Sequence, residues 1–207
     1  MIRVLIVEDD PMAQKLLENF IENSGRYKVI GSIASAGFAE TYCLKHSVDL
    51  ILMDVCTALG VSGLEISAKI KKIKPDIKII IITSQPECDF INRAKAGGVD
   101  SFWYKSSDEK EILELMDRTM EGESIYPDST PSLQIGYAWN TEFTPRQLEV
   151  LRELTSGDTN GEIGERLGIS ANTVRDYIQQ MLEMTGLQNR TSLAVAADKS
   201  GLVNKNY

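Results

Sequence analysis

Residues 4–11 read VLIVEDDP, and this stretch decides how the first part of the chain folds. The apolar run Val4–Val7 is short and lacks polar alternation, the pattern of a strand covered on both faces. Glu8, Asp9 and Asp10 follow at once, and Pro11 then stands where the first turn of a helix tolerates proline. A strand that runs through acids into a helix is the start of a βα unit. The same rhythm returns with strand-like runs at Val29–Ile33, Leu50–Met53, Ile79–Ile82 and Ser101–Tyr104. Between and after them, Met12–Asn23, Ala36–His46, Leu64–Ile73, Glu87–Lys95 and Glu109–Met120 carry helix-spaced apolar residues, the fourth with Pro86 at its first turn. Five such units predict an α/β, doubly wound, parallel five-stranded domain. Functional groups of such sheets lie at the carboxyl ends of the strands. That rule nominates Glu8–Asp10, Asp54–Gly60, Thr83–Ser84 and Lys105.

The rhythm changes after residue 121. Residues 122–141, GESIYPDSTPSLQIGYAWNT, combine prolines, glycines and hydroxyl residues and read as a linker. Its isolated Ile125, Tyr126, Tyr137 and Trp139 suggest that it packs in part on a domain. From Thr144 onward the pattern is all-α, with four helices predicted at 145–156, 160–167, 171–185 and 191–200. Thr144-Pro145, Thr159-Asn160, Ser170 and Thr191 supply starts, and Gly157, Gly168, Gly186 and Gly201 supply stops. The expected organisation is therefore a domain at 1–121, a linker at 122–141 and a four-helix domain at 142–207.

The length of 207 residues suits two small domains, and 43% hydrophobic with 25% charged residues is ordinary globular composition. No secretory signal is read at the start, and no apolar stretch is long enough to cross a bilayer. Cys43, Cys56 and Cys88 are odd in number, share no metal-type spacing, and read as reduced thiols of a cytoplasmic protein. The net charge of −8 argues against a nucleic-acid partner. Residues 141–207, with 7 Lys+Arg and 9 Asp+Glu, are nearer neutral but are not basic.

Chemistry converges at the strand ends. Glu8 and Asp9 end the first strand and Asp54 ends the third, and this topology makes those ends neighbours. Clustered carboxylates repel unless a cation intervenes, so a divalent ion is expected, and Mg²⁺ fits best. Lys105 adds a compact positive charge and Thr83 a hydroxyl donor. Two acids for a metal, one as nucleophile, a lysine and a threonine make a phosphoryl-transfer site. His46, the only histidine, follows an amphipathic segment and is read as an exposed structural residue.

On the segments VLIVEDDP, DLILMD, IIIITS and SFWYK, residues 1–121 resemble the receiver domain of response regulators. The resemblance implies Asp54 as phosphoacceptor, and Mg²⁺ held by Glu8, Asp9, Asp54 and the backbone carbonyl of Cys56. Thr83 and Lys105 would grip the phosphoryl group, with Thr83 and Phe102 as switch residues. It also implies a sensor histidine kinase as partner, and a protein that catalyses only its own phosphorylation and dephosphorylation. One departure stands out: Asp54-Val-Cys-Thr-Ala-Leu-Gly-Val-Ser-Gly63 lacks the family's proline and is one residue longer. The loop is expected to be looser and to place the Cys56 carbonyl less well. Ser106 also stands where the family has a proline or an acid.

The segment TNGEIGERLGISANTVRDYIQQMLEMTG holds two short helices joined through Leu167-Gly168-Ile169-Ser170. With FTPRQLEVLRELTSG before it and LQNRTSLAVAA after, it resembles the LuxR-type helix-turn-helix domain. That implies operator DNA as a partner and a recognition helix at 171–185. The implied DNA contacts are Asn172, Thr173, Arg175, Asp176, Gln179 and Arg190. Gly161, Glu183 and Met184 replace basic residues of the family, so a monomer is expected to bind weakly. The sequence thus reads as a two-component response regulator, a DNA-binding transcription regulator controlled by phosphorylation of Asp54, dimeric when phosphorylated and without a membrane segment. The rival is a regulator acting by protein contact with weak or no DNA binding. A metal-dependent phosphatase is more remote, because no second acid-base residue accompanies the phosphoacceptor.

Overall fold

The computed structural model describes residues 1–87, 89–105, 108–200 and 202–203. The expectations for Cys88, Ser106 and Gly201 lie outside the described residues. The chain divides into two compact units, one built from Met1–Ser84 and Phe90–Asp128, the other from residues beyond Ser129 together with the short stretch that begins at Gln85.

In the first unit, β1 (Ile2–Val7) leads to α1 (Pro11–Asn23), then β2 (Tyr27–Ile33), a 3₁₀ turn at Ala36–Phe38 and α2 (Ala39–Lys45). The chain continues through β3 (Leu50–Asp54), a miniature hairpin of β4 (Cys56–Thr57) and β5 (Val61–Ser62), and α3 (Gly63–Ile73). It closes with β6 (Lys78–Thr83), α4 (Phe90–Ala96), β7 (Ser101–Tyr104) and α5 (Glu109–Met120). The main sheet is parallel, in the order β2-β1-β3-β6-β7. Its strands are apolar throughout because both faces are covered. Leu5, Val7, Ile51, Met53, Ile79 and Ile81 face a core shared with Ile70, Phe90 and Ala94. Their neighbours Val4, Ile6, Leu50, Leu52, Ile80 and Ile82 meet Leu17, Ile21, Ile112 and Met116 on the other side.

The elements follow the sequence pattern with two differences. The segment expected as one helix from Ala36 splits into the 3₁₀ turn and α2. The helix expected from Glu87, with Pro86 in its first turn, begins only at Phe90. Its buried stripe is Phe90, Ile91 and Ala94, whereas Glu87 ahead of it is buried in an ion pair with Arg152 at 2.6 Å and so is held outside the helix. Residues Ser124–Tyr126 fold onto the open edge of β7. The Phe102 amide donates to the Ile125 carbonyl at 2.8 Å, the Ser124 hydroxyl to the Asp100 carbonyl at 2.7 Å and the Tyr126 hydroxyl to the Val99 carbonyl at 2.7 Å. The sheet edge is thereby paired instead of left open.

In the second unit, β8 (Gln134–Ile135) and β9 (Ala138–Trp139) form a small hairpin ahead of α6 (Pro145–Thr155), α7 (Asn160–Leu167), α8 (Ala171–Thr185) and α9 (Arg190–Ser200). Thr144 and Thr159 each complete a capping box, with Gln147 and Glu162, and the Ser170 hydroxyl accepts from the Thr173 amide. The core gathers Leu148, Leu151, Ile163, Val174, Ile178, Met181 and Leu193, with Ile135 and Phe143 from the hairpin region. The hairpin sits on the end of α8, where the Tyr137 amide donates to the Thr185 carbonyl at 2.9 Å. Tyr137 and Trp139, expected to pack, remain largely solvent-exposed. They stand in a two-residue turn and on a two-residue strand, which bury the backbone hydrogen bond and Ile135 instead.

The helix-turn-helix bend rests on two glycines. Gly168 adopts a left-handed conformation at φ 66°, ψ 36°, the cap expected of it. Gly164, one turn earlier, is buried, and a Cβ there would lie 2.6 Å from the Ile169 carbonyl oxygen. Gly164→Ala is therefore expected to destabilise this unit by about 1–3 kcal/mol through overpacking. Hydrogen exchange should then speed at the amides of α7 and α8, while β1 and β3 keep their protection. Unchanged exchange in α7 and α8 would contradict this account of the bend.

Candidate functional site

Neighbouring parallel strands bring the acids together. Val7 pairs with Met53, so Glu8 and Asp54 leave adjacent strand ends. Ligand-capable oxygens of Glu8, Asp9 and Asp54 lie within 4.8 Å of one another. Glu8 and Asp54 are buried, whereas Asp10 is turned to a structural task. Its carboxylate accepts from the amides of Met12 and Ala13 at 2.7 and 3.1 Å and caps α1. Those amides hold its carboxyl below the ordinary range.

Lys105 enters the cluster from the end of β7. Its ammonium lies 2.6 Å from Glu8 Oε2 and 2.8 Å from Asp54 Oδ2, and the side chain is mostly buried. Its own backbone amide donates to the Thr83 carbonyl at 2.8 Å, which joins β7 to β6 at the site. Thr83 is buried at the end of β6. Burial pushes the Asp54 carboxyl up to about 7, further than the Lys105 ammonium draws it down, and the Glu8 carboxylate adds to the rise. For Lys105 burial works the other way, but Asp54 and Glu8 outweigh it and hold the ammonium in its charged form. One ammonium thus faces three carboxyl groups.

That imbalance suits a divalent cation. Glu8 Oε2 is buried and its only near cation among the described residues is the Lys105 ammonium, which Asp54 Oδ2 shares, so the carboxylates keep acceptor capacity to spare. The donor set is all oxygen, which favours a hard ion such as Mg²⁺ over a transition metal. The fit rests on Glu8, Asp9 and Asp54.

The loop after Asp54 differs from its expectation. It is not loose: Cys56 pairs with Ser62 and Thr57 with Val61, and the Gly63 amide donates to the Val55 carbonyl at 2.9 Å. Residues Ala58–Gly60 turn the hairpin, and the extra residue is absorbed by Leu59 at a left-handed φ of 68°. Gly63 has to be glycine, because a Cβ there would lie 1.8 Å from the Asp54 carbonyl oxygen. Sequence reasoning included Thr57 only within the strand-end stretch Asp54–Gly60 and missed that its hydroxyl bridges this loop. A lone threonine in a loop gives no signal until its partners are known.

Phe102 is buried on β7. Tyr126 stacks over it with ring centroids 6.4 Å apart, and Tyr104 meets its edge at 5.1 Å. His46 is exposed at the end of α2, against the Tyr42 ring.

The second candidate site is the outer face of α8. Asn172, Arg175, Asp176 and Gln179 are exposed and recur at helical spacing on one side, opposite buried Val174, Ile178 and Met181. Glu183 continues the face and accepts a hydrogen bond from the Gln179 amide at 2.9 Å. The other two expected DNA contacts make internal bonds. Thr173 bonds to the Ser170 hydroxyl at the start of α8. The Arg190 guanidinium donates to Asn160 Oδ1 at 3.0 Å and to the Asp158 carbonyl at 2.6 Å, tying the start of α9 to that of α7.

Comparison with known proteins identifies both domains. Residues 4–117 match the response regulator receiver domain, and residues 141–197 match the bacterial regulatory proteins of the luxR family. The response regulator protein VraR of Staphylococcus epidermidis is 30% identical over 98% of this chain and 99% of its own. The corresponding protein of Staphylococcus aureus is 29% identical over the same shares. Among solved structures, RcsB of Salmonella enterica serovar Typhimurium, bound to a promoter in the presence of a phosphomimetic, has a similar fold. Its TM-score is 0.58 at 17% identity, over 96% of this chain and 98% of that one. No described helix is long and apolar enough to cross a membrane. The chain belongs to the response-regulator family, as a DNA-binding transcription regulator under phosphorylation control that joins a receiver domain to a LuxR-type DNA-binding domain.

Proposed function

We propose that Asp54 is the phosphoacceptor, and that its phosphorylation by a sensor histidine kinase changes how the helix-turn-helix domain meets operator DNA. The observation that carries this reading is the buried Lys105 ammonium between Glu8 and Asp54. In the transfer, the phosphorus–nitrogen bond of a phosphohistidine breaks and a bond from an Asp54 oxygen to phosphorus forms. Lys105 and the Thr83 hydroxyl hold the incoming phosphoryl oxygens. Glu8, Asp9, Asp54 and the Cys56 backbone carbonyl would hold Mg²⁺, which when bound supplies charge neutralisation for acids and phosphoryl group alike. The same groups admit water for the protein's own dephosphorylation. Phe102 and Thr83 lie on the two strands that end at the phosphoryl site, which supports their role as switch residues.

The functional division runs at residues 1–121, 122–141 and 142–207, and the protein acts in the cytoplasm, as a homodimer when phosphorylated. Asn172, Arg175, Asp176 and Gln179 form the face that enters the major groove. Thr173 supports that face by donating its amide to the Ser170 cap of α8 and Arg190 by fastening α9, and both would contact the DNA backbone. Two copies on one duplex would offset the weak cationic character of each. Regulation through protein contact draws its support from Asp176 and Glu183, which make the exposed face of α8 acidic.

A small phosphodonor with Mg²⁺ is expected to label wild-type protein, and Asp54→Ala to lose the label. Wild-type labelling of Asp54→Ala would sink the assignment. Without metal, the raised Asp54 carboxyl binds its proton more tightly folded than unfolded. Its contribution to stability is thus complete below about pH 4 and lost as pH rises to about 7. In chelator, Asp54→Asn should therefore be more stable than wild type at about pH 8, on the order of 2 kcal/mol, with the gap closing near pH 4. Thermal melts across pH measure this, and equal melting at about pH 8 would contradict it.

For DNA, Glu183→Lys adds a cation and releases the Gln179 amide. It should tighten binding to all sequences and steepen the salt dependence by about one unit. Gly161→Lys should act likewise, since a Cβ there would meet only the Thr159 hydroxyl, at 3.9 Å. Salt titrations of binding check both, and if neither variant tightens binding at low salt, protein contact becomes the better reading.

A further inference from the structure

The loop that follows Asp54 lacks the proline by which the resemblance would stiffen it, yet it is tightly held. The difference is one buried hydroxyl. Thr57 Oγ1 donates to the Val61 carbonyl at 2.6 Å and accepts from the Ala36 amide at 3.0 Å. The first bond closes the hairpin across its turn. The second ties it to the 3₁₀ segment that follows β2, on the far side of β1 from β3. Beside it, the Ala58 amide donates to the Ala34 carbonyl at 2.9 Å. Thr57 is 1% exposed, so water does not compete for these bonds. The peptide that joins Cys56 to Thr57 contains the Cys56 carbonyl, so whatever fixes Thr57 fixes that oxygen.

We infer that the Thr57 hydroxyl is a positioning group for the metal site, holding the Cys56 carbonyl where it can join the carboxylates of Glu8, Asp9 and Asp54. This rests on the reading above that these groups hold Mg²⁺. Thr57 touches neither metal nor phosphoryl group and acts through the backbone of its neighbour. Valine has nearly the same shape but offers no hydroxyl. Thr57→Val removes the side-chain bonds to the Val61 carbonyl and from the Ala36 amide, and the hairpin is free to shift. A backbone oxygen that is no longer held makes a poorer ligand to a small ion that demands regular octahedral geometry. Serine keeps the hydroxyl and loses only a methyl group.

The test is the Mg²⁺ dissociation constant of the full chain by calorimetry. Wild type, Thr57→Val and Thr57→Ser are compared at a temperature where circular dichroism shows each folded, with Glu8→Gln/Asp9→Asn as the metal-deficient control. Thr57→Val is expected to bind Mg²⁺ about tenfold more weakly, and Thr57→Ser within about twofold of wild type. In labelling by acetyl phosphate, Thr57→Val should need about tenfold more Mg²⁺ for half-maximal rate while approaching the wild-type rate at saturation. A role in stability alone would lower the melting point and leave both Mg²⁺ values unchanged, which would overturn the inference. So would a tenfold loss in Thr57→Ser, which also decides the matter if Thr57→Val does not fold. If wild type takes up no more Mg²⁺ than the control, the metal reading itself fails, and the inference falls with it.

Discussion

The first unit is organised around one buried electrostatic problem: a lysine ammonium beside two buried carboxyl groups, with a third at the rim. Lys105 offsets part of the repulsion between Glu8 and Asp54 and leaves the rest for a cation to complete. The sheet order is what makes this possible. Only with β1 beside β3, and β7 at the end of the same sheet, do an acid pair and a lysine far apart in sequence reach one point. The site is therefore poised by its imbalance, since a fully neutral cluster would have no use for a ligand.

Around that cluster the backbone is held closely. Gly63 lets α3 start against the Asp54 carbonyl, and the β4–β5 hairpin carries an extra residue at Leu59 without loosening. On the opposite edge, β7 carries Lys105 at one end and hydrogen-bonds Ile125 through Phe102. The strand that carries Lys105 is thus also the strand to which Ile125 is hydrogen-bonded.

Most of the fold was legible from period alone. Continuous apolar runs such as Ile79–Ile82 announce strands covered on both faces, and the acids and lysine at their ends announce the site. The capping signals at Thr144, Thr159 and Ser170 each correspond to a helix start, because a side-chain oxygen at that position satisfies amides that nothing else reaches. What escaped was tertiary in origin. The start of α4 depends on the ion pair that holds Glu87 to Arg152. The pairing of Ile125 with β7 needs an open sheet edge that sequence does not display. The Thr57 bridge and the tight place of Gly164 involve partners distant in sequence or backbone contacts within a turn. Among the expected DNA contacts, the exposed stripe on α8 follows from helical spacing, whereas the internal bonds of Arg190 do not.

The acidity of the second unit sharpens the question of control, because weak phosphate attraction leaves more for the receiver to decide. The most direct test measures affinity of the full chain for a DNA fragment selected by binding to it, at fixed salt, before and after phosphorylation verified by mass. The account predicts tighter binding by the phosphorylated wild type and no change for Asp54→Ala treated alike. Equal affinity of phosphorylated and unphosphorylated wild type would contradict it.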